Sequence, residues 1–140
     1  MALLEAKLRI KKSTLPGAGK GLFTTEPIAR GTRIVEYKGT ITTWKDADHR
    51  EGANAYIYYV NRNHTIDAHH HRKALARYAN DAKGLSRVPG ILNNCTYHID
   101  GVRVYIVAMK AIPAGSELLV GYGKEYWEVI RHNIKHGFIK

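Results

Sequence analysis

A mainly β fold with short helices is what this sequence predicts, and three observations predict it. Apolar residues come in short runs parted by turn formers, as where AYIYYV (55–60) meets Asn61-Arg62-Asn63. The runs are rich in β-branched and aromatic residues, as in TRIVEYKG (32–39). The regular strand–helix alternation of a nucleotide-binding α/β fold is missing.

Each element follows in order. LRIKKS (8–13) is strand-like, and its charges at Lys7, Arg9, Lys11 and Lys12 suit a strand with one basic face. GLFTT (21–25) is a second short strand, and TRIVEYKG a third, entered by the turn at Ile28-Ala29-Arg30-Gly31. KDADHREGAN (45–54) is polar and reads as a short helix or loop. AYIYYV turns back into HTIDA (64–68). RKALARYAND (72–81) carries Ala74, Leu75 and Tyr78 at helical spacing, and KGLSRVPG (83–90) reads as an exposed loop. NCTYHIDGVRVYIVAMKAI (94–112) is a hairpin with Asp100-Gly101 as its two-residue turn, since positive φ there matches strand twist. IPAGSELLVGYG adds a turn and a strand. Trp127, Ile130 and Ile134 lie along one face of a C-terminal helix.

The chain has 140 residues, the length of one domain with a real core. The expectation is a single domain over 1–140, with an insert at 45–76 shaping a substrate groove and a helical tail at 125–140. No uninterrupted apolar run approaches membrane-spanning length, and MALLEAKLRI is a poor signal peptide. A soluble protein of the nucleus or cytoplasm, with no membrane partner, is therefore expected. Cys95 is the only cysteine, so an internal disulfide is excluded and a cysteine-based zinc site disfavoured. The net charge of +10 and pI near 9.8 favour polyanions such as nucleic acid. No helix-turn-helix, zinc-finger or RNA-binding signature sharpens that preference.

TLPGAGKGLF (14–23) has the look of a phosphate cradle. A P-loop requires glycine, four residues, then Gly-Lys-Ser/Thr. Here Gly21 stands where the metal-holding hydroxyl belongs, and Thr14 where the first glycine belongs, so the NTPase reading fails at both ends. His69-His70-His71 is read as an exposed turn, because consecutive side chains of an extended segment diverge. His132 and His136 are one helical turn apart but have no cysteine or carboxylate partner at a recognised spacing, so no metal site is assigned. Cys95 and His98 could form a nucleophilic pair, or Cys95 could be a small buried core residue.

The order of the pieces is more specific than any one of them. GAGKGLF, IARGTRIVEYKG, IDA, RYAND, NNCTY and IPAGSELLVGYGKEYW follow one another over residues 8–128. This series resembles the SET-domain protein lysine methyltransferases, and in layout the small stand-alone, viral or bacterial type members without zinc-binding flanks. The resemblance implies a SET-type fold of several small sheets with a knot-like crossing near the C-terminus. It implies S-adenosylmethionine as cofactor and methylation of a protein lysine, on a histone or another nucleic-acid-associated protein. Residue by residue, it implies that the backbone of Lys20 and Gly21 approaches the cofactor, as glycine permits. Asn80 would hold the cofactor's amino-acid end or its adenine region, with Arg77 and Asp81 beside it. Tyr56 would close over the methionine carboxylate. Tyr122 would be the catalytic tyrosine and a cofactor contact, Tyr37 and Tyr97 would wall the lysine channel, and Trp127 would cover the adenine or close the channel. Tyr97, a tyrosine rather than a phenylalanine, leans toward mono- or dimethylation.

Two departures stand out. The family's Asn-His-Ser reads Asn80-Asp81-Ala82, and extra residues at 83–92 precede Asn94-Cys95, to be accommodated by looping outward. The alternative is a catalytically degenerate SET-like module that binds nucleic acid or a protein partner. Without a zinc-binding tail, the last wall of the channel would come from the helix 125–138 or from the second subunit of a homodimer. Asp67, Asp81, Glu117 and Glu125 are candidates for an acidic groove that would receive a basic substrate.

Overall fold

The computed structural model describes residues 3–47, 56–83 and 88–122. Nine strands run through them: β1 (Leu8–Lys12), β2 (Lys20–Thr24), β3 (Arg33–Glu36), β4 (Thr40–Thr42), β5 (Ile57–Asn61), β6 (His64–Asp67), β7 (Cys95–Asp100), β8 (Arg103–Ala108) and β9 (Glu117–Leu118). Two 3-10 turns, Glu5–Lys7 and Leu75–Tyr78, are the helical elements among these residues. The protein is thus mostly β, built as three small antiparallel sheets of order β1-β2-β9, β3-β8-β7 and β4-β6-β5.

The chain divides into two compact units, one of residues 1–37 and 75–121, the other of 38–74 and 122–140. The first holds two of the sheets and most of the core: Leu8, Leu22, Ile34, Val104, Ile106, Ile112, Leu118 and Val120 are all buried. In β8, Val104, Tyr105 and Ile106 are buried in succession, as expected of a central strand covered on both faces.

The hairpin β7–β8 has the predicted position but a shifted turn. Asp100 pairs with Arg103, so the loop is Gly101-Val102, with Gly101 at φ 65°. Glycine takes the first loop position, where positive φ is required, and Asp100 remains in the ladder as the ion-pair partner of Arg33. The short strand β4, of sequence Thr-Ile-Thr, was not predicted; three residues are too few for a periodic signal, and β6 supplies its ladder. The short helix expected in 72–81 is a single 3-10 turn, Leu75–Tyr78.

The knot-like crossing is visible in the hydrogen bonds. Val120 N–H donates to the Asn80 carbonyl, while the Leu119 carbonyl accepts from both Asn94 N–H and Cys95 N–H. Residues 119–120 therefore thread between Asn80 on one side and Cys95 on the other, both in parallel bridges. Asn94 clamps the thread with its side chain: Nδ2 donates to the Glu117 carbonyl and Oδ1 accepts from Leu119 N–H, each at 2.9 Å.

The extra residues before Asn94 do not simply loop away. Val88 and Ile91 pack onto a cluster of Leu15, Ala82 and Leu119, beside Ala18. Asn93 ties the two ends of the segment together. Its Oδ1 accepts from Ala82 N–H and its Nδ2 donates to Asp81 Oδ1. Residues 84–87 lie outside the described residues.

In the second unit, β6 pairs with both β4 and β5. A Cβ on Gly39 would lie 2.4 Å from the Asp67 carbonyl oxygen, which explains why Tyr-x-Gly ends in glycine.

Candidate cofactor site and aromatic wall

The predicted glycine turn is held from both ends. Ser13 N–H donates to the Gly19 carbonyl at 2.7 Å, and Gly17 and Gly19 have φ of 73° and 74°, which other residues adopt only at a cost. Among the described residues, a Cβ at Gly19 would meet nothing within 4 Å. Gly21 is different. By strand period it shares a face with Phe23, whose register partner in β9 is Glu117, and a Cβ there would lie 2.3 Å from Glu117 Oε2. The second glycine of Gly-x-Gly is needed to admit a carboxylate from this chain.

That carboxylate is the centre of the site. Glu117, 7% exposed, accepts from Thr14 N–H and Thr14 Oγ1 on one oxygen and from Ser13 Oγ on the other. Asn80 Nδ2 reaches the second oxygen at 3.4 Å and donates to the Lys20 carbonyl at 3.0 Å. Lys20, Gly21 and Asn80, predicted from separate motifs, thus converge in one unit, with Glu117 beneath them.

Asp81, the residue in the histidine's place, is 5% exposed. Its Oδ1 accepts from Lys83 N–H and Asn93 Nδ2, both at 2.8 Å, so the carboxylate fastens the inserted segment. Arg77 stands in the 3-10 turn with its guanidinium 5.1 Å from the Tyr78 ring. Tyr56 belongs to the other unit, where its carbonyl accepts from Ala68 N–H and its ring lies 6.0 Å from that of His69. Tyr122, half-buried, also falls in that unit, two residues after Val120. Trp127, Glu125, His132 and His136 lie outside the described residues.

Tyr37 and Tyr97 meet. Register sets Val35, Ile106 and Tyr97 side by side on one face, and Tyr37 follows on that face two residues after Val35. Their rings stand edge to face, 6.2 Å apart at 79°. Tyr37 is only 5% exposed, while Tyr97 is half-buried.

The acidic-groove expectation does not survive for three of its four members: Asp67, Asp81 and Glu117 are all buried. Cys95 is a core residue, 1% exposed, whose thiol burial pushes up to about 12. His98 projects from the other face of β7, three residues on, so the two form no nucleophilic pair. His70 and His71 are exposed as expected, whereas His69 is half-buried against the Tyr56 ring; His71 Nε2 meets Thr40 Oγ1 at 2.8 Å. Among the described residues, no three metal-binding side chains gather into a site, and no helix is long and apolar enough to cross a membrane.

Sequence reasoning missed Glu117 as a hub and Asn94 as a clamp. The hydroxyl pair Ser13-Thr14 just before the turn was the available signal for a buried acceptor, but it lies 104 residues from Glu117.

Comparison with known proteins then decides the ancestry. The SET domain profile matches residues 19–123. The chain belongs to the SET-domain family. Among curated relatives, it is 31% identical over 125 residues to the N-lysine methyltransferase KMT5A-A of Xenopus laevis, covering 81% of this chain and 36% of that protein. It is 32% identical over 118 residues to the histone-lysine N-methyltransferase ASHH1 of Arabidopsis thaliana, covering 79% of this chain and 23% of that protein. Among solved structures, the methyltransferase domain of human PR domain-containing protein 2 superposes with a TM-score of 0.62 at 26% identity. That match covers 84% of this chain and 77% of the other. The chain spans about a third of the length of the first curated relatives. SET methyltransferases generally use S-adenosylmethionine, and the site's chemistry suits that molecule: a glycine turn beside the half-buried Asn80, whose Oδ1 accepts no hydrogen bond among the described residues.

Proposed function

We propose that this SET-domain chain methylates a lysine side chain of a protein, with S-adenosylmethionine as donor. The observation that carries the proposal is the convergence of Lys20, Gly21 and Asn80 over Glu117 in a chain of this family. Bound there, the cofactor would supply an activated methyl group on a sulfonium.

The chain's own residues have three tasks. Asn80 Oδ1 accepts a hydrogen bond from an amino or ammonium group, and the turn at Gly19, which leads into Lys20 and Gly21, lets a ligand approach the backbone. Tyr37 and Tyr97 form an aromatic wall that excludes water and favours a cationic methylammonium over their faces. An apolar wall also favours the neutral amine. A free lysine, with a pKa of about 10.4, is neutral in roughly one molecule in a few thousand at pH 7, so this term alone raises the reactive fraction. Tyr122 aligns the amine through its hydroxyl. Arg77, Asp81, Tyr56 and Trp127 retain the supporting roles the resemblance implies, Asp81 through its backbone because its side chain is committed to Asn93.

The substrate class is a basic, lysine-bearing protein such as a histone, by analogy with relatives named histone-lysine methyltransferases. The net charge of +10 supports a nucleic acid as second partner in a nuclear setting, and a homodimer would complete the channel. The degenerate alternative loses its main support, because Asp81 has a structural task of its own. Calorimetric titration with S-adenosylmethionine, with ATP as control, tests the reading on the wild type and Asn80→Ala. One-to-one binding of the methyl donor, weakened about tenfold but still measurable in the variant, is expected; absence of binding to the wild type would refute it.

A further inference from the structure

The Asn80 amide has two orientations, and its neighbours allow one. Nδ2 faces the Lys20 carbonyl at 3.0 Å and Glu117 Oε2 at 3.4 Å, and both of these are acceptors only. Reversed, the amide would set Oδ1 against two oxygens at those distances. The contact with Glu117 is long for a hydrogen bond, but its electrostatic sign still counts in a partly buried setting. Glu117 is itself fixed. Thr14 N–H and Thr14 Oγ1 hold Oε1 at 2.9 and 2.6 Å, Ser13 Oγ holds Oε2 at 2.7 Å, and Gly21 leaves just enough room for the carboxylate.

We propose that Glu117 is a positioning residue for cofactor binding, which locks the Asn80 amide so that Oδ1 is presented as an acceptor to an amino or ammonium group. The inference rests on the cofactor reading above and assigns within it a role that the motif match did not. It explains why a buried carboxylate, rather than an amide, belongs at this position. In Glu117→Gln, Thr14 N–H keeps the amide oxygen at the Oε1 position, because a backbone N–H can only donate. The new –NH2 then falls at the Oε2 position, facing Asn80 Nδ2, donor against donor. Ser13 Oγ tolerates the change by accepting instead. Asn80 does not: turning it relieves the clash with residue 117 and creates one with the Lys20 carbonyl.

The test is a double-mutant cycle read by calorimetric titration with S-adenosylhomocysteine on the full chain: wild type, Glu117→Gln, Asn80→Ala and the double variant. Glu117→Gln should weaken binding about tenfold in the wild-type background, the scale of one hydrogen bond to a polar ligand group, and less than about twofold when Asn80 is already alanine. Equal losses in the two backgrounds would mean that Glu117 acts through stability alone and would overturn the inference while leaving the cofactor site intact. A wild type that binds nothing would remove the cofactor reading and this inference with it. Should Glu117→Gln not fold, magnetic resonance on the wild type decides. The Asn80 Nδ2 hydrogens should stay protected from exchange at saturating ligand, because Lys20 and Glu117 keep them, and loss of that protection on ligand binding would refute the orientation.

Discussion

Replacing Gly21 by alanine tests the claim that this glycine accommodates Glu117. The new Cβ would lie 2.3 Å from Glu117 Oε2 and 3.3 Å from Ser13 Cα, where ordinary contact begins at 3.4 Å. The carboxylate must therefore retreat by about 1 Å, and its bonds to Ser13 and Thr14, at 2.6–2.9 Å, cannot all survive that shift. Losing two hydrogen bonds to a charged group costs about 3–5 kcal/mol, and the reduced freedom of the unfolded chain returns about 0.5–1. A net loss of about 2–4 kcal/mol corresponds to a fall in Tm of about 10 °C for a chain of this size. Urea and thermal unfolding measure it directly. The control is Gly19→Ala, where nothing among the described residues lies within 4 Å and the strain of φ 74° costs about 1–2 kcal/mol. If Gly21→Ala melts with the wild type, or no lower than Gly19→Ala, the packing argument is wrong.

Other outcomes are open to simple assays. Tyr122→Phe should lose most methyl transfer to a lysine peptide while retaining cofactor affinity; near-normal turnover would remove Tyr122 from its assigned role. Asn94→Ala deletes two bonds that clamp the threaded segment, at Glu117 and Leu119, and should cost about 2–4 kcal/mol by denaturant titration. Cys95, held protonated to about 12, should resist iodoacetamide at pH 8 in the folded protein and react once urea unfolds it. The same thiol makes stability fall as pH rises from 9.0 toward 12. In that window the unfolded chain releases a proton that the folded chain keeps, and the slope should be shallower in Cys95→Ser, with Tyr58, also pushed up from 10.0 by burial, supplying part of what remains. Gly101→Ala should cost about 1–2 kcal/mol, because only its φ of 65° is at stake.

What could be read from the sequence was local. Short β-rich runs gave the strands, since period and propensity act within a few residues, and Asp100-Gly101 located the hairpin to within one position. The ordered motifs pointed to the family and to Lys20, Gly21 and Asn80, because such residues carry their chemistry in their type. Register, burial and long-range pairing were not legible. Whether Asp67, Asp81 and Glu117 would line a surface groove or be buried depends on which strand lies opposite, and all three are buried. Cys95 and His98 are three apart in sequence, yet only the pairing of β7 with β8 decides that Cys95 faces the core.

The sequence by itself determined a basic, mainly β chain of SET type with a glycine turn that no P-loop could use. Tertiary structure alone decided what that turn rests on. Ser13 and Thr14 meet Glu117 across a hundred residues of chain because β2 pairs with β9, and a buried carboxylate must collect donors wherever the fold supplies them.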